Sequence, residues 1–382
     1  MKGKTWNMKY ALLFVGKIGL NFIYLFFKLL PTRDRITLIS RQSNNITLDF
    51  KLLKKEIENH KKYDVIVLCK KLEGKDNAKI SEILSYIGHM FKQMYYISTS
   101  KWIVLDSYCI AASLLKHKKN LKIMQMWHSI GTMKKFGYDI LDLQEGSSKK
   151  MAKLMRMHMN YDIVLCAGQG YKKDLIRQFN CDSKNIRICP LPRVDLLLDA
   201  KYKAAIKKKI VTKYSTLKYK KTILYCPTFR VNEDNFKSNV DKLISCVDFK
   251  KYNLIVKLHP NSRVINLPIE VIDDKAFSTM EMLFVSDYII TDYSCILYEA
   301  AILNKPLYFY NFDFDDYHIK RDLNIDYLNE LPGTISGDPK KIIEAIETNQ
   351  YDFTKLSQFT KKYINVDKNN TSKIYKIIEK GQ

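Results

Sequence analysis

The chain has 382 residues, 46% hydrophobic and 12% aromatic, with 13 Gly and 9 Pro. That is enough apolar mass for two domains with real cores, and it excludes a disordered or fibrous chain. Against 40 Asp and Glu stand 64 Lys and Arg, a formal net charge of +24, which favours anionic partners such as nucleic acid, anionic lipid or a phosphorylated substrate. Only 10 of the basic residues are Arg, a lysine bias that an AT-rich genome also produces.

Residues 10–30 read YALLFVGKIGLNFIYLFFKLL, apolar but interrupted by Lys17 and Asn21 and closed by Lys28 and Pro31. No small-residue cleavage site follows, so this is not a secretory signal. Lys17 is costly inside a span. The preferred reading is a helix lying in the membrane plane, ahead of a helix packed on the protein's own core and of a true span. Past Pro31 the pattern alternates. RITLIS (35–40), YDVIVLCK (63–70), WIVLD (102–106), LKIMQMW (121–127), YDIVLCAG (161–168) and NIRIC (185–189) are strand candidates. Helical spacing separates them at 48–62, 78–92, 109–117, 148–158 and 170–179. Continuous apolar strands between helices predict a parallel sheet covered on both faces.

The Lys-rich stretch 200–221 reads as a linker or as the solvated start of a second half. The alternation then restarts with TILYCPTFR (222–230), YNLIVKLHP (252–260), VIDD (271–274), DYIITD (287–292) and PLYFYN (306–311). Helices are expected near 237–248, 278–285, 294–303, 338–348 and 369–380. The fold class is therefore α/β, two Rossmann-like domains facing a cleft. The eight cysteines include no C-x-x-C pair; they read as buried reduced thiols and place the chain in a reducing, cytosolic compartment.

In such sheets ligands sit at the carboxyl ends of the strands, and four segments there carry polar groups. His128, in MWHSIGTMKKFGYD (126–139), suits a general base at neutral pH. Arg230, in CPTFR (226–230), can grip phosphate bidentately. His259 ends the strand before Pro260. Thr291 and Ser294 lie where a strand meets a helix N-terminus, a site for phosphate, and Glu299 follows where it can meet sugar hydroxyls. Taken singly, a loop histidine, a salt-bridged arginine and a core or capping histidine are the preferred readings of the first three segments, and an ordinary helix cap explains the fourth equally simply; together the four suit a nucleoside diphosphate donor. No Walker motif, G-x-G-x-x-G or His/Cys metal spacing occurs. His60, His89, His117, His158 and His318 read as structural or exposed.

The same segments resemble the CDP-glycerol glycerophosphotransferase family of teichoic acid synthesis. WHSIGTMKKFG (127–137) is similar to its WH-x-x-G-x-x-K-x-FG form, and PLPRVDLLL (190–198) to its PR-x-D segment. CPTFR, KLHP and TDYSCILYEAAILNKPLYFYNFDFDDY (291–317) resemble its PTWR, K-x-HP and TDYSS…D…NKP…D-x-x-x-Y motifs. Phe229, Cys295 and Glu299 depart from the usual Trp, Ser and Asp. The resemblance implies a GT-B arrangement and transfer of glycerol phosphate, or a related alditol phosphate, from CDP-glycerol or CDP-ribitol. It implies an undecaprenyl-linked or polymeric acceptor, release of CMP, and a peripheral enzyme on the cytoplasmic face of the cell membrane. Carried over, His128 would be the base and His259 would stabilise the transition state, while Arg230, Thr291, Ser294 and Glu299 would hold the donor. No cofactor, metal or nucleic acid is called for. The expected division is a membrane-associating helix over 1–30, an acceptor domain over 31–200, a donor domain over 201–340 and C-terminal helices over 341–382. A sugar-nucleotide GT-B glycosyltransferase is the alternative reading.

Overall fold

The computed structural model describes residues 2–71, 80–230, 233–259, 262, 266–320, 322–348 and 350–381. Among them, two six-stranded sheets form. The first holds β1 (Arg33–Ser40), β2 (Asp64–Cys69), β3 (Ser100–Leu105), β4 (Lys122–Gln125), β5 (Ile163–Cys166) and β6 (Ile186–Ile188). The second holds β7 (Lys221–Cys226), β8 (Tyr252–Val256), β9 (Val271–Ile272), β10 (Tyr288–Thr291), β11 (Leu307–Tyr310) and β12 (Ile335–Ser336). The orders are β2-β1-β3-β4-β5-β6 and β12-β11-β10-β7-β8-β9, and every pairing is parallel. This is the two-domain α/β architecture that the alternating pattern predicts.

The central strands are buried on both faces: Ile36, Leu38, Ile103 and Val104 in the first sheet, Leu224, Ile255, Ile289 and Ile290 in the second. Parallel strands need that double cover. Each sheet reverses its winding once, between β1 and β3 and between β7 and β10. At such a reversal the following loops diverge and leave a crevice. Both crevices contribute to the cleft described below.

Most of the lysine-rich stretch, read as a linker or as the solvated start of the second half, is a helix, Ala200–Lys213, between the two sheets. Asp199 caps it by accepting from the Lys201 and Tyr202 amides, and Ile206 and Ile210, one turn apart, bury its inner edge. The helix anticipated at 78–92 runs Ile80–Thr99; positions 78 and 79, like Pro260, lie outside the described residues.

The helix Lys2–Lys28 holds the body of the protein by one face. Tyr10 and Tyr24 are buried, and Lys17, Leu20 and Phe27 half-buried. The Tyr24 hydroxyl donates to His117 Nδ1 at 3.0 Å, and His117 Nε2–H donates to the Ala112 carbonyl. Burial pushes this histidine down to about 4, so it remains a neutral acceptor for Tyr24. Lys17 Nζ donates to the Leu154 carbonyl at 3.0 Å. Thus the lysine that interrupts the apolar run in sequence lies on the inner face. Val15, Ile18, Phe22, Leu25, Phe26 and Leu29 are exposed on the outer one. By length and composition Tyr10–Lys28 is long and apolar enough to cross a membrane, with a mean hydropathy of 1.7.

The last two helices, Phe353–Tyr363 and Asn370–Lys380, return to the first half. The Asn365 amide donates to the Ala167 carbonyl, and Tyr375 stacks on His60 at 4.0 Å. Asp195 accepts from the Asn370 and Thr371 amides at 2.8 and 2.9 Å and from the Thr371 hydroxyl at 2.6 Å. A carboxylate there satisfies orphan amides and complements the helix dipole. Asp195→Ala should therefore lower stability by about 1–2 kcal/mol, read as a shifted denaturant midpoint, with hydrogen exchange rising first in residues 370–380.

Candidate active site

The carboxyl ends of the two sheets face one cleft of about 910 Å³. His128, Arg230, His259, Ser294 and Glu299 all line it. Thr291 does not: it is buried at the end of β10, and its hydroxyl donates to the Cys226 carbonyl at 2.8 Å.

On the first half, β4 ends at Gln125 and the chain turns sharply. Trp127 has φ 66°, a left-handed conformation that costs about 1–3 kcal/mol and persists only where packing enforces it. Here its ring stacks on Phe136 at 4.4 Å and meets Phe179 edge-on at 5.4 Å. The turn delivers His128 to the cleft. His128 Nδ1 lies 3.0 Å from the Asp106 carbonyl. The Gln42 side-chain amide lies 3.3 Å from the same nitrogen; the shorter contact is to the carbonyl, which only accepts, and it places the proton on Nδ1 and the lone pair on Nε2. Burial pushes His128 below the ordinary histidine value and Arg193 pushes the same way, against the raising effect of the Asp106 carbonyl. The imidazole is therefore neutral at pH 7, as a base requires. Burial also pushes the neighbouring Asp106 carboxyl up to about 6.

On the second half, Arg230 is buried and fully engaged. Nε and Nη2 donate to Asp313, Nη2 donates to Asp292 at 2.9 Å, and Nη1 donates to the Thr228 and Phe229 carbonyls. The rings of Tyr293, Phe312 and Tyr317 surround it, with its central carbon 5.1, 5.5 and 4.9 Å from their centroids. The guanidinium expected to grip phosphate is thus the centre of a loop-holding cluster, paired with carboxylates as the salt-bridged reading expects but buried. Asp292 also accepts from the Thr228 amide and hydroxyl, which ties the loop after β7 to the loop after β10. Ser294 lies half-buried beside that junction, just before the helix Ile296–Ile302. His259 stands exposed at the rim, 5.9 Å from the Phe229 ring. Partial burial lowers its pKa, and the positive charges of Lys134 and Lys71 add to this.

Glu299 is 5% exposed, and burial raises its pKa. Its Oε1 accepts from Arg193 Nη1 at 3.3 Å, while Oε2 is buried with no hydrogen-bond partner. Arg193, Asp49 and the Asp292–Asp313 pair are the residues that motif reading missed. The PR-x-D, TDYS and D-x-x-x-Y segments hold three of them, Arg193, Asp292 and Asp313, but nothing local marks Asp49.

The halves meet closely beside His128. The Asn324 side chain donates to the Thr132 carbonyl at 2.6 Å. A Cβ on Gly131 would lie 2.5 Å from Tyr298 Cζ of the second half, so only glycine permits this approach.

Residues 22–380 match the family described as CDP-Glycerol:Poly(glycerophosphate) glycerophosphotransferase, and the chain belongs to that family. It is 30% identical over 354 residues to the teichoic acid poly(ribitol-phosphate) polymerase of Bacillus spizizenii, covering 89% of this chain and 55% of that one. It thus spans about half the length of that relative. It is 27% identical to the teichoic acid ribitol-phosphate primase of the same organism, with 88% of each chain covered. It is 29% identical to the teichoic acid glycerol-phosphate primase of Bacillus subtilis, with 74% of each covered. Its fold is that of the solved wall teichoic acid polymerase TagF, with a TM-score of 0.71 at 20% identity over 98% of this chain and 97% of that one.

Gly131→Ala should force Tyr298 back or the halves apart, a cost of about 1–3 kcal/mol for an overpacked contact. Scanning calorimetry should record a lowered Tm for this variant and a much smaller shift for Gly88→Ala, where a Cβ meets open space.

Proposed function

We propose that this member of the glycerophosphotransferase family transfers an alditol phosphate, glycerol phosphate in the first instance, from a CDP-alditol to a hydroxyl of a teichoic acid or related acceptor, releasing CMP. The observation that carries the reading is a neutral, carbonyl-oriented His128 facing, across one cleft, the Thr228–Asp292–Arg230 cluster and Ser294. Both glycerol- and ribitol-phosphate enzymes stand among its relatives.

The acceptor hydroxyl gives its proton to His128 Nε2 as its oxygen attacks the distal phosphorus of the donor in line. The bond from that phosphorus to the CMP oxygen breaks, CMP leaves as the anion, and His128 returns the proton to solvent. Charge builds on the phosphoryl oxygens, where positive and hydrogen-bonding groups lower the barrier most. His259 and the Ser294 hydroxyl serve there. Arg230 holds the donor loops in place through Asp292 and Asp313, Glu299 forms the inner wall, and Thr291 acts through the strand end that it fixes. His128→Ala should reduce kcat by ~10²–10⁴, the range of a lost general base, with donor affinity nearly unchanged. Because the folded pKa of the base lies below its ordinary value, its unprotonated form persists as pH falls. The acid limb of kcat/KM should then lie below about pH 6.5. Assays with CDP-glycerol, CDP-ribitol and UDP-sugars side by side test the reading; turnover with UDP-sugars alone would overturn it.

The acceptor is lipid-linked in this proposal, and the enzyme works on the cytoplasmic membrane surface. The outer face of the helix Lys2–Lys28 supports this: it is a continuous apolar stripe on a chain of net charge +24, and apolar insertion with charge attraction gives stable peripheral binding. Replacing Ile18, Phe22 and Phe26 by Ser spares the inner face. It should cut binding to anionic vesicles by more than about tenfold, given about 1.5–3 kcal/mol for each large side chain buried, with the Tm preserved. Unchanged vesicle flotation would remove this helix from the membrane contact.

A further inference from the structure

One guanidinium touches both sides of the cleft. Arg193 opens the helix Arg193–Leu198 at the end of the first half. Its Nη2 donates to the backbone carbonyl of His128 at 3.2 Å, and its Nη1 donates to Glu299 of the second half at 3.3 Å. Asp49 braces it from behind: Oδ1 accepts from the Arg193 backbone amide at 2.9 Å, and Oδ2 accepts from Nε at 2.9 Å and from Nη2. Asp49 is itself buried, in the first turn of the helix Leu48–Asn59. Three acceptors on three parts of the chain thus converge on one planar fork.

We propose that Arg193 is a positioning residue of the transfer reaction, fixing the His128 loop against the donor-side helix that carries Glu299 while Asp49 fixes Arg193. The inference rests on the proposed function, since it concerns the separation of base and donor. Bringing an acceptor oxygen in line with a phosphorus demands this separation to within about an ångström, and an error of that size costs about 10²-fold in rate. A lysine at 193 keeps the charge, but a single ammonium cannot replace a fork that meets three acceptors at fixed angles. The Glu299 and His128 ends would then lose their common reference while Asp49 stays neutralised.

The test measures CMP release with CDP-glycerol, CDP-ribitol and a short lipid-linked acceptor. R193K, R193Q, D49N and R193Q/D49N are compared with the parent chain, with kcat and donor KM resolved separately and Tm recorded for each. R193K should keep its Tm and lose about 10–10²-fold in kcat, with donor KM within about threefold of the parent. D49N should slow turnover in the same way, and the double variant should be no slower than R193Q alone, because both changes remove one bracket. Full kcat in R193K, or a raised KM with kcat intact, overturns the proposal. So does a loss of kcat that only follows Tm across the series. A parent chain that releases no CMP from either donor overturns the functional reading instead. Amide hydrogen exchange then decides on Arg193 without substrate: R193K should raise exchange in residues 128–134 and 295–300, and an unchanged pattern overturns the bracket.

Discussion

A guanidinium leaves water at a net cost unless its N–H groups meet oxygens and its charge meets a carboxylate. The cleft is built around two places where that condition is fulfilled. Arg230 sits between Asp292 and Asp313, and Arg193 between Asp49 and Glu299. Each carboxylate belongs to a different loop or helix, so satisfying the arginine fixes the relative position of chain segments far apart in sequence. The first cluster turns the ends of β7, β10 and β11 into one floor. The second joins that floor to the wall bearing His128. The apolar sheets supply the bulk of the stability, but they leave the loops above them undetermined, and the buried ions determine them. Removing one member of such a set leaves an uncompensated buried charge, a cost that replacing a surface ion pair does not carry.

Much of the frame could be read from local pattern. A parallel strand buried on both faces is a short apolar run, and each run here is followed within a few residues by the polar groups that line the cleft. His128, Arg230, His259, Ser294 and Glu299 all line the cleft for that reason. Pairings between distant segments could not be read in this way. Asp49 and Arg193 are 144 residues apart, and nothing in either neighbourhood names the other. The carboxylates that engage Arg230, Asp292 and Asp313, follow other strands and are not marked as its partners by anything near 230. Thr291 was placed in the site because it ends a strand, but at that end its side chain faces the sheet interior and not the opening. Lys17 breaks an apolar stretch only in a linear reading, which has no faces. At helical spacing it falls in line with Tyr10, Leu20, Tyr24 and Phe27, toward the protein. Ile206 and Ile210, one turn apart among lysines, and the capping Asp199 are the local signs that residues 200–213 form a packed helix.

The histidines illustrate how one physical effect serves two ends. Burial lowers the pKa of His117 and of His128 alike, and in both a backbone carbonyl fixes the proton on one nitrogen. In His117 the remaining nitrogen is taken by Tyr24, and the pair clamps the first helix to the body. In His128 the remaining nitrogen belongs to a residue lining an open cleft. The two differ in whether a protein hydroxyl occupies the second nitrogen, as at His117, or that nitrogen is left to the cleft, which is what the proposed base requires of His128.

The return of the helix Asn370–Lys380 to the first half has a consequence for how the molecule is made. Tyr375 covers His60, and Asp195 is complete only once Asn370 and Thr371 reach it. During synthesis the first sheet therefore emerges with one flank uncovered and waits while some 170 further residues, the whole second half included, are translated; at about 5–20 residues per second this is roughly ten to thirty seconds. The nascent first half must survive that interval with apolar surface around the helix Leu48–Asn59 open to solvent, chaperone or membrane. The first half is thus completed only after the second has been synthesised, and the second half, though later in the sequence, is free to close before it.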